Sequence, residues 1–559
     1  MQLSVAVRAI ALMAIAAAPA ARCVAAKLMD LQHTRIQEPR PANLPSDAQL
    51  EKGGAVIGKI DIDIRNIFDE SDPRENVWLF RIADRLHIRT RRSTIKAQLL
   101  FASGDRYDAR KLAETERNLR ALPYVYDARV VPVRYRDGKV EVKVVTKDVW
   151  TLSPGISFSR AGGTNNSSVS IADSNILGRG KTLQFEHGRN VDRSSNTVEW
   201  ADPNVFGSRW MDAVAYANSS DGKRRELKIA RPFYALDAPW SVTIAAKQYD
   251  RSVARYSLGN IADQLIDDEA SYEVSGGISS GLQNGWTRRW LAGMRYDRNL
   301  FAPAPSMPVL AGPLPADRTL AYPFVGFDIL QDDYKKTADL NQIGRTEDLY
   351  FGAEVGAEVG ISNAAFGAGG EAIMLAAHAR KGFQLPDQQE LFLTSTFASR
   401  VEHGRARNLI ASGNADYYWR WRTDWVLYAA FAGTVTDALD ADAQLTIGGD
   451  NGLRGYPLRY ESGTSRALFT VEQRVFTDWY PFRLARVGGA VFADVGRTWG
   501  RGVVGSSDPG LLQDLGFGLR LGNTRTGLGN VVHIDLAFPV NAPPGISRVQ
   551  LLVQTQQSF

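Results

Sequence analysis

Three groups of residues have types and spacings that could do chemistry. Gly277-Ile278-Ser279-Ser280-Gly281 spells the G-x-S-x-G of a nucleophile elbow. That motif needs a strand, a sharp turn and then a helix, and here it sits inside an alternating strand pattern. Gly180-Lys181-Thr182 matches the end of a phosphate loop, but Asn175 stands where the first glycine belongs, and a strand pattern follows. The six histidines (His33, His87, His187, His378, His403 and His533) have no metal-ligand spacing. The third group is "GGDNGLRGYPLRY", Gly448 to Tyr460, whose Leu453, Arg454, Gly455 and Tyr456 are too mixed for an ordinary surface loop. Downstream, "ALFTVEQRVF" carries Glu472 and Arg474 on one face, and "VGGAVFADVGRTWG" puts Phe492, Asp494 and Gly496 on one face. The opposite alternates, Val487, Val491 and Val495, are expected to face outward. A confined carboxylate calls for a cation, and a planar guanidinium suits it better than a lysine. Arg454 can serve Asp494 or Glu472 and stack on Phe492 or Tyr456. The residues alone leave open the bland alternative, a solvated arginine on an external loop. No enzyme, metal site or cofactor is expected.

The elements that must position these residues are strands. Gly 50, Tyr 19, Trp 12 and Phe 23 in 559 residues suit strands and turns, and no internal apolar run approaches a membrane helix. From residue 151 to 559 the chain alternates strictly. In "NVVHIDLAF", Val532, Ile534, Leu536 and Phe538 oppose His533, Asp535 and Ala537; "LGFGLRL" and "VQLLVQTQQSF" behave alike. About twenty strand candidates, several of 10 to 15 residues, carry polar groups or glycine on their second face. Strands of ~9 to 11 residues cross a bilayer, and hydrogen bonding in lipid requires a closed sheet. A transmembrane antiparallel β-barrel is expected, with short turns at one end and long loops such as 301–321 at the other. "DSNILG" (Asp173–Gly178) recurs as "DPNVFG" (Asp202–Gly207), a pattern that strand-end turns also favour.

Ahead of the barrel, residues 1–26 read as a signal peptide, with Arg8, a short apolar core and Val24-Ala25-Ala26 before the cleavage point. Cys23, the sole cysteine, lies within it, so no disulfide framework is expected. Residues 27–54, with Pro39, Pro41 and Pro45, read as a flexible lead-in. Residues 55–150 predict a small α/β domain in the order β-α-α-β-β. "VIGKIDIDI" alternates; "STIKAQLLF" and "ARKLAETERNLRAL" are helical; and "YDARVVPVRY" and "KVEVKVVT" flank an Asp137-Gly138 turn. The net charge of +5 is modest and the Arg81–Arg92 run reads as a solvated face, so no nucleic acid is expected.

With "LRGY" at Leu453–Tyr456, "FADVG" at Phe492–Gly496 and a terminal Phe559, the chain resembles the outer-membrane assembly superfamily of BamA, TamA and the two-partner-secretion transporters. Many members are described as bacterial surface antigens. Residues 55–150 resemble one POTRA domain, and "DSNILGRGKTLQF" and "ADPNVFG" the first barrel hairpins. The resemblance implies a loop, 439–464, folded back into the lumen with Arg454 docked on Asp494, and with Gly455, Tyr456, Phe492, Gly496 and Glu472 around them. It implies a C-terminal barrel signal at Leu551, Val553 and Phe559, and sixteen strands. It implies residence in the outer membrane of a Gram-negative-type cell, in contact with lipid, with the POTRA domain periplasmic. The implied activity is insertion or translocation of client outer-membrane or secreted polypeptides, without nucleotide, with a possible periplasmic accessory protein. One POTRA domain is fewer than BamA-like or two-partner members carry. A passive pore or structural surface antigen of the same fold is the alternative.

Overall fold

The computed structural model describes residues 35–501, 503–506, 509–525, 531–540 and 542–556. The expected signal peptide and Phe559 lie outside them. The small domain comprises helix α1 (Asp47–Lys52), strand β1 (Val56–Arg65), helices α2 (Trp78–Leu86), α3 (Arg92–Gln98) and α4 (Ala109–Arg120), and strands β2 (Val125–Arg136) and β3 (Lys139–Asp148). The sheet order is β1-β3-β2, with β1 parallel and β2 antiparallel to β3. Asp108 caps α4 through Lys111 N–H. Ile57, Ile62, Ile95, Leu112, Leu119, Val140, Val142 and Val144 close the core.

Two helices exceed the β-α-α-β-β expectation. α1 begins within the segment expected to be a flexible lead-in. Ser46 and Gln49 form a capping box, Leu50 is buried, and upstream Ile36 is buried with its N–H on Asp127. Six helical residues are too few to show a period. α2 escaped detection because its apolar residues lie on two faces: Phe80 packs inward on Phe68, while Trp78, Leu79, Ile82 and Leu86 are exposed.

Among the described residues twenty strands close into one barrel, from Leu152–Ala161 to Gln550–Gln556. The strand count from alternation holds, and the sixteen implied by resemblance is corrected: the barrel is larger. Strands range from 7 residues to the 24 of Asn260–Gln283. The longest therefore stand well beyond the ~9 to 11 residues that cross a bilayer. Outside, Val274, Trp290, Val325, Phe431, Phe517 and Leu551 are exposed; inside, Arg520, Asp494, Asp535 and His533 are buried. Val491 is exposed and Val495 half-buried, but Val487 is buried. The turn after Phe476 covers it, bonding to its backbone from Thr477 and Trp479. The first and last strands meet at a seam where Val553 lies opposite Arg160.

The small domain sits under the end of the barrel at which the chain enters, here the near end. "DSNILG" and "DPNVFG" both form near-end turns of one shape. In each, the Asp side chain accepts the N–H of the residue two on, at 2.9 and 3.0 Å.

Asp84 on α2 is buried. One oxygen accepts Phe68 N–H at 3.3 Å, and the other has no hydrogen-bond partner among the described residues. Burial pushes its carboxyl from 3.8 up to about 6, against the Phe68 bond. The folded state then holds more proton than the unfolded between those values, so stability falls as pH rises through that window. Asp84→Asn should slow amide exchange of residues 66–86 at pH 7 and lose its advantage below pH 3.8. Equal protection at pH 7 would contradict this.

Candidate functional site

The loop between strands Trp425–Asp437 and Ser465–Phe476 leaves the far end and turns back into the lumen. A short ladder pairs Leu445–Ile447 with Glu461–Gly463 at its base. Leu453, Tyr456, Leu458 and Tyr460 are all buried, so its aromatics pack on the wall and not in water. Tyr456 Oη bonds to Gln513 O at 3.2 Å and to Val540 O at 3.4 Å. The backbone comes close enough that a Cβ on Gly455 would lie 2.6 Å from Asp514 Cβ.

Arg454 reaches the wall with its whole fork. Nε donates to Asp494 Oδ2 at 2.7 Å and Nη2 to Asp494 Oδ1 at 3.0 Å. Nη1 donates to Glu472 Oε2 at 3.1 Å and Asp535 Oδ2 at 3.3 Å. The guanidinium carbon lies 3.3 Å from the Phe492 ring centroid. Phe492 lies flat because Gly516 faces it; a Cβ there would meet the ring at 2.2 Å. Gly496 similarly leaves room for Ile447. Strand phase explains the gathering. Glu472, Asp494 and Asp535 come from three strands of one wall and point the same way. Asp494 sits directly opposite Asp514 in the ladder, a repulsive pair by itself. Arg454 on one carboxylate and Gly455 N–H on the other, at 2.8 Å, offset it. Arg520 and Arg474 complete the cluster on Glu472, at 3.1 and 3.0 Å.

Two further contacts tie the loop across the barrel. Arg459 forks onto Asp192, 2.9 Å from each oxygen. Leu458 joins a buried cluster with Ala161 of the first strand, Phe492, Ala537 and Leu552 of the last strand. Of the C-terminal residues singled out above, Leu551 is exposed outside and Val553 stands at the seam, both away from the Arg454 cluster. Gly277–Gly281 lies in strand Asn260–Gln283, where Ser279 Oγ donates to the Arg288 carbonyl across the hairpin and no helix follows.

A second occupant was not foreseen. Residues 332–352, at the near end, form the hairpin Tyr334–Ala338/Thr346–Tyr350, whose tip enters the lumen. Glu347 gathers the N–H groups of Leu340, Asn341 and Gln342 and so shapes the tip. Leu340 packs with Tyr418 and Val426 of the wall. Arg474 donates to Leu340 O at 2.9 Å and Asn341 Oδ1 at 3.1 Å. Glu472 and its arginines thus touch both occupants. Below, α4 holds the hairpin: Arg120 forks onto Asp348 at 2.7 and 2.6 Å and pairs with Glu116, which also takes Lys336. Arg117 stacks on Tyr334 at 3.6 Å. A sequence signal existed in "DDYKKTADLNQIGRTEDLY", too long and polar for a short turn.

No protein-family model and no curated protein matches this sequence. Among solved structures the fold is similar to BamA from Haemophilus ducreyi lacking POTRA domains 1–3, at 12% identity over 89% of this chain and 85% of that one, TM-score 0.36. It is similar to CdiB from Acinetobacter baumannii, at 12% identity over 90% and 73%, TM-score 0.42. It is also similar to CdiB from Escherichia coli, at 12% identity over 89% and 76%, TM-score 0.45.

Leaving a buried carboxylate unpaired costs about 3 kcal/mol or more. Arg454→Ala should therefore release the loop and expose 448–460 to protease added to the purified protein, and Arg454→Lys should rescue only partly. Wild-type protection in Arg454→Ala would refute the docking energetics. At the near end, burial alone would raise the Glu116 carboxyl, but the Arg120 and Lys336 charges outweigh it and hold it below 4.5. Its contribution is present above that value and is lost as pH falls through the lower folded one. Arg120→Ala, or acid, should loosen the hairpin and raise single-channel conductance in planar bilayers. Unchanged conductance in Arg120→Ala would show that α4 does not hold the hairpin in the lumen.

Proposed function

We propose that the chain inserts or translocates polypeptides at the outer membrane of a Gram-negative-type cell. On this reading residues 1–26 are a signal peptide, 55–150 a periplasmic POTRA domain and 151–559 the barrel. The observation that carries it is the Arg454 loop, pinned inside the lumen and sharing a buried cluster, through Leu458, with both strands of the seam. A loop so placed ties the state of the lumen to that of the seam, as a barrel that passes or releases polypeptide requires. The small sheet offers β1 as an edge, since Arg120 and Glu116 already take Ala128 O and Val130 N–H along β2, and edge pairing is a general way to catch an extended client. Arg454, Gly455 and Tyr456 are the loop's anchors, Glu472, Asp494 and Phe492 its dock, and Leu551, Val553 and Phe559 the terminal strand's recognition signal. No step needs a nucleotide. On the same reading a periplasmic accessory protein is a candidate partner.

The alternative is a passive pore or surface antigen. Occupation of the lumen from both ends weighs against a permanently open pore, since a barrel of this size would otherwise hold a wide aqueous channel. Depleting the protein and profiling outer-membrane and secreted proteins separates the two. Loss of one or a few polypeptides is expected, whereas an unchanged profile would sink the transport reading.

A further inference from the structure

α2 carries a second apolar face that the domain does not use. Phe80 stacks on Phe68 with centroids 4.0 Å apart, and Asp84 faces the same side. Trp78, Leu79, Ile82 and Leu86 point away; Trp78 is 66% and Leu86 70% exposed. At 3.6 residues per turn these four fill an arc of roughly 100°, with Arg81 and Arg85 at its edge.

The place of α2 gives that face a meaning. The segment before it is held by Arg525, just past the near end of strand Leu512–Asn523. Nη1 donates to Ile67 O at 3.0 Å, the guanidinium stacks on Phe68, and Nη2 pairs with Glu75. The segment after it is held by the turn following strand Thr164–Asp173, where Arg91 N–H donates to Gly178 O and Arg91 Nε to Leu177 O, each at 2.9 Å. Between those two points lie the last two barrel strands and the first two. α2 is therefore slung beneath the seam.

The rim beside it carries an independent sign. Three near-end turns hold a bulky apolar residue in left-handed backbone, Leu177 (φ 53), Phe206 (φ 53) and Phe482 (φ 54), against one far-end turn, at Leu258 (φ 49). Such residues reach this conformation only with strain. All three are exposed, as is neighbouring Trp479. Backbone strained to hold apolar side chains outward fits a rim set in a lipid interface better than one in water.

We propose that α2 is a lipid-binding helix whose Trp78-Leu79-Ile82-Leu86 face enters the headgroup–acyl boundary of the near leaflet under the seam, with Arg81 and Arg85 on lipid phosphates. Indole rings favour that layer, and a basic amphipathic helix lies in it. The inference rests on the barrel's spanning a membrane, and its occupant is phospholipid, not a polypeptide.

The test uses the full chain with Cys23→Ser, in vesicles of phosphatidylethanolamine and phosphatidylglycerol. Single cysteines Leu79→Cys and Leu86→Cys carry a polarity-sensitive fluorophore, and Val274→Cys on the barrel exterior is the reference. Lipids brominated high on the acyl chain should roughly halve emission at 79 and 86, as expected for a helix buried at the boundary. Arg81→Glu with Arg85→Glu should restore it. Lipid quenching at 274 with iodide quenching at 79 and 86 overturns the proposal and leaves the barrel reading standing. Protection of 79 and 86 from both quenchers overturns it in favour of a protein partner. No lipid quenching at 274 overturns both readings.

Discussion

A wall of twenty strands encloses more volume than its own side chains can fill, so backbone from the loops has to enter it. Entering backbone brings polar groups, and each must find a partner away from bulk water. The wall meets that demand with carboxylates: Glu472, Asp494, Asp514 and Asp535 all point inward and all are buried. Four such groups on neighbouring strands would repel one another. They are tolerable because Arg520 and Arg474 come from the same wall and Arg454 comes from the loop. Loop and wall are incomplete without each other. The apolar residues around the cluster, Phe492 beneath the guanidinium and Tyr456 above Leu512, then pack where the charges have placed them.

The same cluster explains how two separate occupants share one lumen. Glu472 receives Arg454 from the far-end loop and Arg474 from its own strand, and Arg474 also holds the carbonyl of Leu340 in the near-end hairpin. That hairpin is gripped in turn by Arg120 and Glu116 of α4. A continuous set of polar contacts therefore runs from the small domain, through the hairpin and the wall, to the loop. It is a physical path, and coupling along it is a matter of energy to be measured.

Much of the fold could be read from periodicity. Alternation separated inside from outside correctly along Val531–Val540 and Leu512–Asn523, because one face meets water or charge and the other does not. Alternation also gave the strand number, where family likeness pointed to a smaller barrel. Strand phase put Asp494, Phe492 and Glu472 on the inner wall. It could not choose which carboxylate Arg454 would take, and the loop's fork in fact reaches three. Missed features share a cause: their partners are distant in sequence. α1 is too short for a period. α2 spreads its apolar groups over two faces, one of which has no partner among the described residues. Val487 has the right phase but lies under the turn that follows Phe476. The near-end hairpin gives no sign of entering the lumen until Tyr418, Val426 and Arg474 surround its tip.

The two arginine clamps differ in what they join. Arg454 fastens a loop to the wall from which it springs, so breaking it leaves buried carboxylates behind in the same rigid structure. Arg120 fastens the hairpin to a separate domain, which is itself bonded to several near-end turns, among them by Arg525 on Ile67 and Glu75, Arg91 on Leu177, Arg110 on Asp237 and Glu114 on Leu236 N–H. Parting Arg120 from Asp348 leaves the barrel ladder intact. The carboxylate of Asp348 lies at the mouth, 14% exposed, where water can take over its solvation. Asp494, fully buried, has no such substitute. Breaking the near-end clamp therefore leaves the smaller solvation cost, and breaking the far-end clamp the larger.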